Sequence, residues 1–200
     1  VQPDRLGVFL VKAVAAFLAA LAVWYVLGRW LAIPVALLAR AAVAAFFPAW
    51  AGEVEQAGTT LALVTHLEVS GIAGGAPGAS AVLSFETDSL KYGYGLPLFL
   101  ALLVAARTPR LALRAATGWA LLLPAQVWGV CFDWLKQAVI DSDAGAFAPL
   151  AREAVALGYQ FGYLVLPTLV PVLAWAAMNR RALAAFMRVS GSGAGGQAQD

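Results

Sequence analysis

Apolar residues form long, nearly unbroken runs over most of this chain, and only one segment alternates apolar with polar. Leu6 to Gly28 is the first run, interrupted once, by Lys12. At a rise of 1.5 Å per residue it reaches ~34 Å, enough to cross the hydrocarbon layer. It is too long for the core of a cleavable signal peptide, which predicts an uncleaved anchor. Because the chain starts at Val1 rather than Met, residues trimmed or left out at its N-terminus are expected. Leu31 to Phe47 is a second run, but it carries Pro34 near its start and Arg40 in its middle. Arginine at a bilayer centre costs from ~2.5 kcal/mol upward. The prediction is a helix lying in the outer interface or dipping into it, with a true span as the alternative, so that residues 1–48 form an anchor plus an interfacial helix.

The texture changes over residues 49–91. In Thr59 to Val69, Leu61, Leu63, Leu67 and Val69 fall on one side and Thr60, His66 and Glu68 on the other, the pattern of a half-buried strand. Ala79 to Glu86 repeats it with Ala81, Leu83 and Phe85, and Gly71 to Gly78 reads as a turn region. A small antiparallel β element is predicted, with a third strand near Glu53. It has too little core to stand alone.

Residues 92–188 return to membrane helices: Tyr92 to Ala106, Leu111 to Phe132 with a kink expected at Pro124, and Ala154 to Met178. The first is short, opens on two tyrosines suited to a headgroup belt, and has Pro97 in its first turn. Residues 189–200 are rich in Gly, Ser and Gln and predict a disordered tail. The fold class expected is mainly α: a polytopic helical bundle of about four spans plus one interfacial helix, with a small extracytoplasmic antiparallel β element.

Composition agrees with that class. The 200 residues are 62% hydrophobic and 12% charged, against about 25% charged for a soluble domain. A water-soluble enzyme is excluded. The net charge of +2 and the lack of a basic patch interleaved with aromatics argue against nucleic acid. One cysteine, Cys131, excludes an internal disulfide and a cysteine-built zinc site. No spacing suggests a metal or a cofactor. Orientation follows from the bases. With four spans, Arg5 and Lys12, the cluster Arg107, Arg110 and Arg114, and the group Arg180, Arg181 and Arg188 share one side. The positive-inside rule makes that side cytoplasmic and puts both termini there, with the β element outside. Arg29 and Arg40 then fall on the outer side, against the trend.

Few residues suggest chemistry. Cys131 and His66 share the outer side, and an imidazole within reach could generate a thiolate for a membrane peptidase or transpeptidase. The plainer reading is a solvated histidine beside Glu68 and a thiol packed as a small hydrophobe. Asp133 and Lys136 are three apart on a helix and so can pair, as a helix-end anchor or a partner contact. Arg152 and Glu153 invite the same two readings. Arg29 and Arg40 suit snorkelling to lipid phosphate, or an acidic docking partner. Gly158 and Gly162 flank Gln160 in a small-xxx-small spacing that permits close helix approach. Ala115 and Gly118 give a weaker version.

Longer motifs carry a resemblance. Val35-Ala-Leu-Leu-Ala-Arg40, Tyr92-Gly-Tyr-Gly-Leu-Pro97, Gln126-Val-Trp-Gly-Val130, Phe132-Asp-Trp-Leu-Lys-Gln137, Ala156-Leu-Gly-Tyr-Gln-Phe-Gly-Tyr163 and Asn179-Arg180-Arg181 occur in that order. Together they resemble the exosortase H-associated membrane proteins, from about residue 8 to residue 187. The resemblance implies a bacterial inner-membrane accessory to a sorting system whose enzyme is a polytopic cysteine protein. It supplies no catalytic role, and Gly-Val-Cys131-Phe-Asp departs from the nucleophile motif of exosortases. The expected partners are therefore membrane lipid and another polytopic, exosortase-like protein. Tyr92, Tyr94, Pro97, Asp133, Lys136, Gly158, Gln160 and Gly162 are the expected contact residues. A cysteine peptidase using Cys131 and His66 is the alternative. A small-molecule carrier subunit, with Gln126 and Gln160 in a polar cavity, is a third reading.

Overall fold

The computed structural model describes residues 3–48, 51–70, 80–141 and 147–180. In chain order they form helix α1 (Pro3–Phe46), strands β1 (Ala51–Ala57), β2 (Thr60–Ser70) and β3 (Ser80–Asp88), then α2 (Leu90–Gly93) and α3 (Gly95–Ala105). Helix α4 (Leu111–Lys136) runs into a π-helical turn, Gln137–Asp141. Helix α5 (Pro149–Gln160) passes through a second π turn, Phe161–Val165, into α6 (Leu166–Met178). Three stretches are long and apolar enough to cross a membrane: Gly7–Phe46, Leu111–Asp141 and Pro149–Met178. Leu90–Ala105 is apolar but shorter. The expected membrane helical class with a small sheet is what the chain forms. The turn region Gly71 to Gly78, Asp143, Arg181, Arg188 and the 189–200 tail lie outside the described residues.

One expectation is corrected. The runs 6–28 and 31–47 are not two helices but a single helix of 44 residues. Gly28-Arg-Trp30 contains no breaker strong enough to separate them, and Pro34 forfeits one backbone hydrogen bond without ending the helix. At ~66 Å the rod exceeds a ~30 Å hydrocarbon core. A membrane-crossing part and a part beyond the core are thus compatible with one element.

The chain divides into two compact units. A sheet unit comprises Tyr25–Gly93 and Leu123–Pro167, and an apolar unit comprises Val1–Trp24, Tyr94–Leu122 and Thr168–Asp200.

In the sheet unit the strands pair antiparallel in the order β1-β2-β3. A two-residue loop, Gly58-Thr59, joins Ala57 to its partner Thr60. Gly58 sits at φ +66°, the left-handed first position that a type II′ hairpin turn needs. Where side chains are described, the alternation read from sequence holds: Leu61, Leu63 and Phe85 are buried, while His66, Ser84 and Glu86 are exposed; the side chains of Leu67, Glu68, Val69 and Ala81 lie outside the described ones. Thr65 and Thr87 continue the buried face. Against it packs a stripe of small residues on α1, Val35, Ala39 and Val43, with Val130, Trp134 and Val139 from α4 and its π turn. The spacing of four puts that stripe on one helix face. Each Leu, Val or Phe taken from water there is worth about 1.5–3 kcal/mol, which is how a sheet too small for its own core is held.

The apolar unit has a smaller core of Phe99, Leu103, Leu122 and Trp175. Phe99 lies over Gly118, where a Cβ would meet its ring at 2.0 Å. Glycine there permits the close approach of α3 and α4.

Candidate functional site

In the sheet unit, polar chemistry collects where β3 meets α4. The sequence pairs Asp133 with Lys136, and the structure corrects this. Asp133 is 6% exposed; its carboxylate accepts a hydrogen bond from the Thr87 hydroxyl and lies 3.9 Å from the Lys91 ammonium. The Tyr92 hydroxyl faces the same carboxylate. Lys136 instead binds Asp141 at 2.6 Å and lies over the Tyr159 ring at 5.4 Å. Position explains the exchange: Asp133 is turned to the sheet, and Lys136, three residues on, is turned out toward the π turn that carries Asp141. One turn beyond Asp133, the Gln137 amide donates to the Glu86 carbonyl at 2.9 Å. Two side chains of one helix therefore hold consecutive residues of β3. Lower down, the Gln56 amide donates to the Arg29 carbonyl of α1 at 2.8 Å, and the Arg29 guanidinium stacks on Trp30 at 4.5 Å.

Most of the expected contact residues are engaged within the chain. Tyr92 is buried, and its ring fills the notch over Gly129, where a Cβ would lie 2.2 Å from it. Tyr163 meets it edge-on, with centroids 6.3 Å apart. Tyr92 therefore faces protein rather than a headgroup belt. Pro97 is buried as well. Gly158 and Gly162 do permit close approach, but to α4 of the same chain. A Cβ at Gly158 would strike the Phe132 ring at 2.0 Å, and one at Gly162 would lie 3.1 Å from the Gly129 Cα. Trp128 locks the contact, its indole donating to the Gly158 carbonyl at 3.0 Å while stacking on Phe132. Tyr94 and Lys136 stay partly accessible, and Gln160 is exposed. Gln160 borders a shallow depression with Arg152, Glu153 and Ile140.

Cys131 opens on a cavity of about 690 Å³ lined by Leu38, Val43 and Phe46 of α1 and Val127, Trp128 and Phe132 of α4, among other apolar groups. His66 and Gln126 are not part of its wall. His66 is exposed on the sheet. The thiol thus meets apolar side chains, with no imidazole lining the cavity. Among the described residues no His, Cys, Asp and Glu cluster could hold a metal ion.

The apolar unit has a polar network that the sequence did not reveal. Asn179, just past α6, accepts from the Thr108 hydroxyl at 3.1 Å and from the Arg114 guanidinium at 2.9 Å. Its own amide donates to the Trp175 carbonyl at 3.0 Å. Arg114 also donates to the Met178 carbonyl at 2.9 Å. Helix ends leave such carbonyls without partners, and here a cation from another helix caps them. Arg107 and Arg110 are exposed and hold left-handed backbone, φ 48° and 54°, at a cost of roughly 1–2 kcal/mol for a residue with a Cβ. A signal for Thr87 did exist: it follows Leu83 and Phe85 in the strand alternation and so falls on their face, where a buried hydroxyl needs a partner.

A model of one protein family, described as exosortase H-associated membrane protein, matches residues 3–182. No curated protein and no solved structure matches the chain.

Proposed function

This chain belongs to the exosortase H-associated membrane protein family, and on that premise we propose that it is a non-catalytic membrane accessory. In this reading it holds an exosortase-type enzyme, or that enzyme's substrate, against the outer face of the three-stranded sheet. The observation that carries the reading is the mounting of the sheet. Its inner face is packed on α1 and α4, and β3 is pinned to α4 through Thr87 and Glu86. The outward residues Glu53, Glu55, Val82, Ser84 and Glu86 are exposed. A sheet this small has too little core of its own, so the helices supply a rigid base for a recognition surface. Tyr94, Lys136 and Gln160 are the expected contact residues that keep accessible surface.

The proposed setting is the bacterial inner membrane, with both termini and the arginine clusters cytoplasmic and the 49–91 segment periplasmic. The Thr108–Asn179 bond supports the alternation, since it joins the end of α3 to the end of α6. Labelling intact cells with a membrane-impermeant maleimide tests it, using Ser84→Cys in a Cys131→Ala background. Modification of that cysteine is the expected result, and protection until lysis contradicts the orientation.

The contact surface is tested by recovering the exosortase with the tagged chain from membranes. Glu55→Lys with Val82→Arg should abolish recovery at unchanged protein level, and equal recovery overturns the proposed face. Cys131→Ala should leave sorting intact; loss of sorting with the protein still folded would favour the peptidase alternative.

A further inference from the structure

The apolar unit separates two kinds of surface. Val11, Val14, Leu18, Leu113 and Leu173 are more than half exposed, as suits helices facing lipid tails. At the end where α3 stops, α4 starts and α6 stops, the exposed groups are cationic: Arg107, Arg110 and Arg180. The Thr108–Asn179 bond holds the two segments together, and Arg107 and Arg180 immediately adjoin its two residues. None of the three forms an ion pair among the described residues. Within 94–122 and 168–180 the sequence contains no Asp or Glu at all. Arg114, the remaining base there, is occupied in capping α6.

The local sequence is also poor for backbone geometry. Arg107 sits in the left-handed position of a Schellman helix end, with its N–H bonded to the Val104 carbonyl and the Thr108 N–H to that of Leu103. Glycine is the usual residue in that position. The Arg110 carbonyl accepts the first bond of α4, where Ser, Thr, Asp or Asn is preferred and a cation opposes the helix dipole. Two consecutive helix ends thus carry arginine where stability alone would choose something else. Strain of this kind accompanies function when neighbouring contacts enforce it.

We propose that this end of the apolar unit is a binding site for the headgroup of an anionic phospholipid, gripped by Arg107, Arg110 and Arg180. Charge complementarity and position select this occupant. The cations cap helices whose flanks are apolar, so the anion they meet at that boundary is a lipid phosphate. The site does not depend on the sorting role.

The test uses the full purified chain in phosphatidylcholine nanodiscs, with and without phosphatidylglycerol, read by thermal unfolding and by lipid retained in native mass spectra. Phosphatidylglycerol should raise the wild-type Tm and be retained, with both effects weakened by salt. At about 1 kcal/mol per basic residue near an anionic surface, each arginine contributes roughly fivefold in affinity. The double variant Arg107→Gly, Arg110→Gly should melt higher than wild type in phosphatidylcholine alone, because glycine relieves the left-handed backbone. It should also lose most of the phosphatidylglycerol increment. Arg107→Lys, Arg110→Lys should keep much of that increment and retains the backbone strain, so it reports even if the glycine variant fails to fold. An undiminished increment in the glycine variant overturns the proposal. So does equal stabilisation by inorganic phosphate in phosphatidylcholine, which would make the site a free-anion site. Loss of exosortase recovery with no change in lipid response would assign the arginines to a protein partner and also overturn it.

Discussion

In the sheet unit the polar group that ties elements together is a buried carboxylate, Asp133; in the apolar unit it is a guanidinium, Arg114. The difference extends to the whole sequence. Nine of the 11 acidic residues fall within the sheet unit and eight of the 13 basic ones within the apolar unit. The job differs too. Asp133 serves a strand hydroxyl and fixes a sheet to a helix, whereas Arg114 serves main-chain carbonyls and closes a helix end. The sheet is tied to the bundle by helix side chains, Asp133 holding the Thr87 hydroxyl and Gln137 the Glu86 carbonyl of the edge strand β3. A helix end leaves backbone acceptors over, and a long cation from a neighbouring helix can reach them.

Breaking the two tethers should have unequal effects. Asp133→Ala removes a charged acceptor and leaves the buried Thr87 hydroxyl without its partner, at a cost of about 2–3 kcal/mol. The loss should show as a lower Tm in detergent and faster proteolysis within 51–70. Arg114→Met keeps the aliphatic stem but frees the Met178 carbonyl and one acceptor bond of Asn179. A cost of about 1–2 kcal/mol is expected, with fraying confined to the end of α6 by hydrogen exchange. Equal losses, or loss of protection in both units from either substitution, would mean that the tethers do not act locally.

The share of this arrangement legible in the sequence follows from how far each signal reaches. Periodicity is local, so the alternation at Leu61, Leu63 and Phe85 gave the strands, and the apolar runs gave the helices. Continuity of α1 across Gly28 to Leu31 is not legible locally, because Pro34 and Arg40 read as interruptions, although a long rod tolerates both. Asp133 was singled out but given a neighbour in sequence, Lys136, rather than its partner in space, Thr87, which lies 46 residues away. Gly158 and Gly162 were recognised as a close-approach surface. Spacing alone does not say whether the approaching helix belongs to this chain, and it is α4. The motifs that carry the family resemblance include Tyr92, Gln126, Val130, Trp134 and Asn179, all buried. They report the construction of the fold more than any contact with another molecule.

Glycine notches offer a finer comparison between the units. Gly118→Ala puts a methyl 2.0 Å from the ring of Phe99, which has no solvent exposure and little room to turn. Gly158→Ala makes an equally short contact with Phe132, but that ring is only partly buried and can shift against Trp128. Either change gains up to about 1 kcal/mol of helix propensity, against an overpacking cost of about 1–3 kcal/mol. Gly118→Ala should therefore lower the Tm clearly, whereas Gly158→Ala should come close to neutral. A reversed order would show that the Trp128–Phe132 stack is the more rigid of the two.

The smallest effect should come from the shortest ion pair. Lys136 and Asp141 lie 2.6 Å apart, yet their side chains are 31% and 48% exposed, so water screens the attraction and ordering two flexible side chains offsets part of it. Exposed pairs of this kind contribute about 0.2–1 kcal/mol. Lys136→Met keeps the aliphatic stem but removes the charge, and with it both the Asp141 pair and the ammonium's contact with the Tyr159 ring, so the Tm should fall by only a few degrees. The dependence on salt decides the matter: a deficit that vanishes in high salt marks a screened surface pair. A deficit that persists would mean that Lys136 helps Lys91 to compensate the buried Asp133, and the carboxylate tether of the sheet unit would then need two cations rather than one.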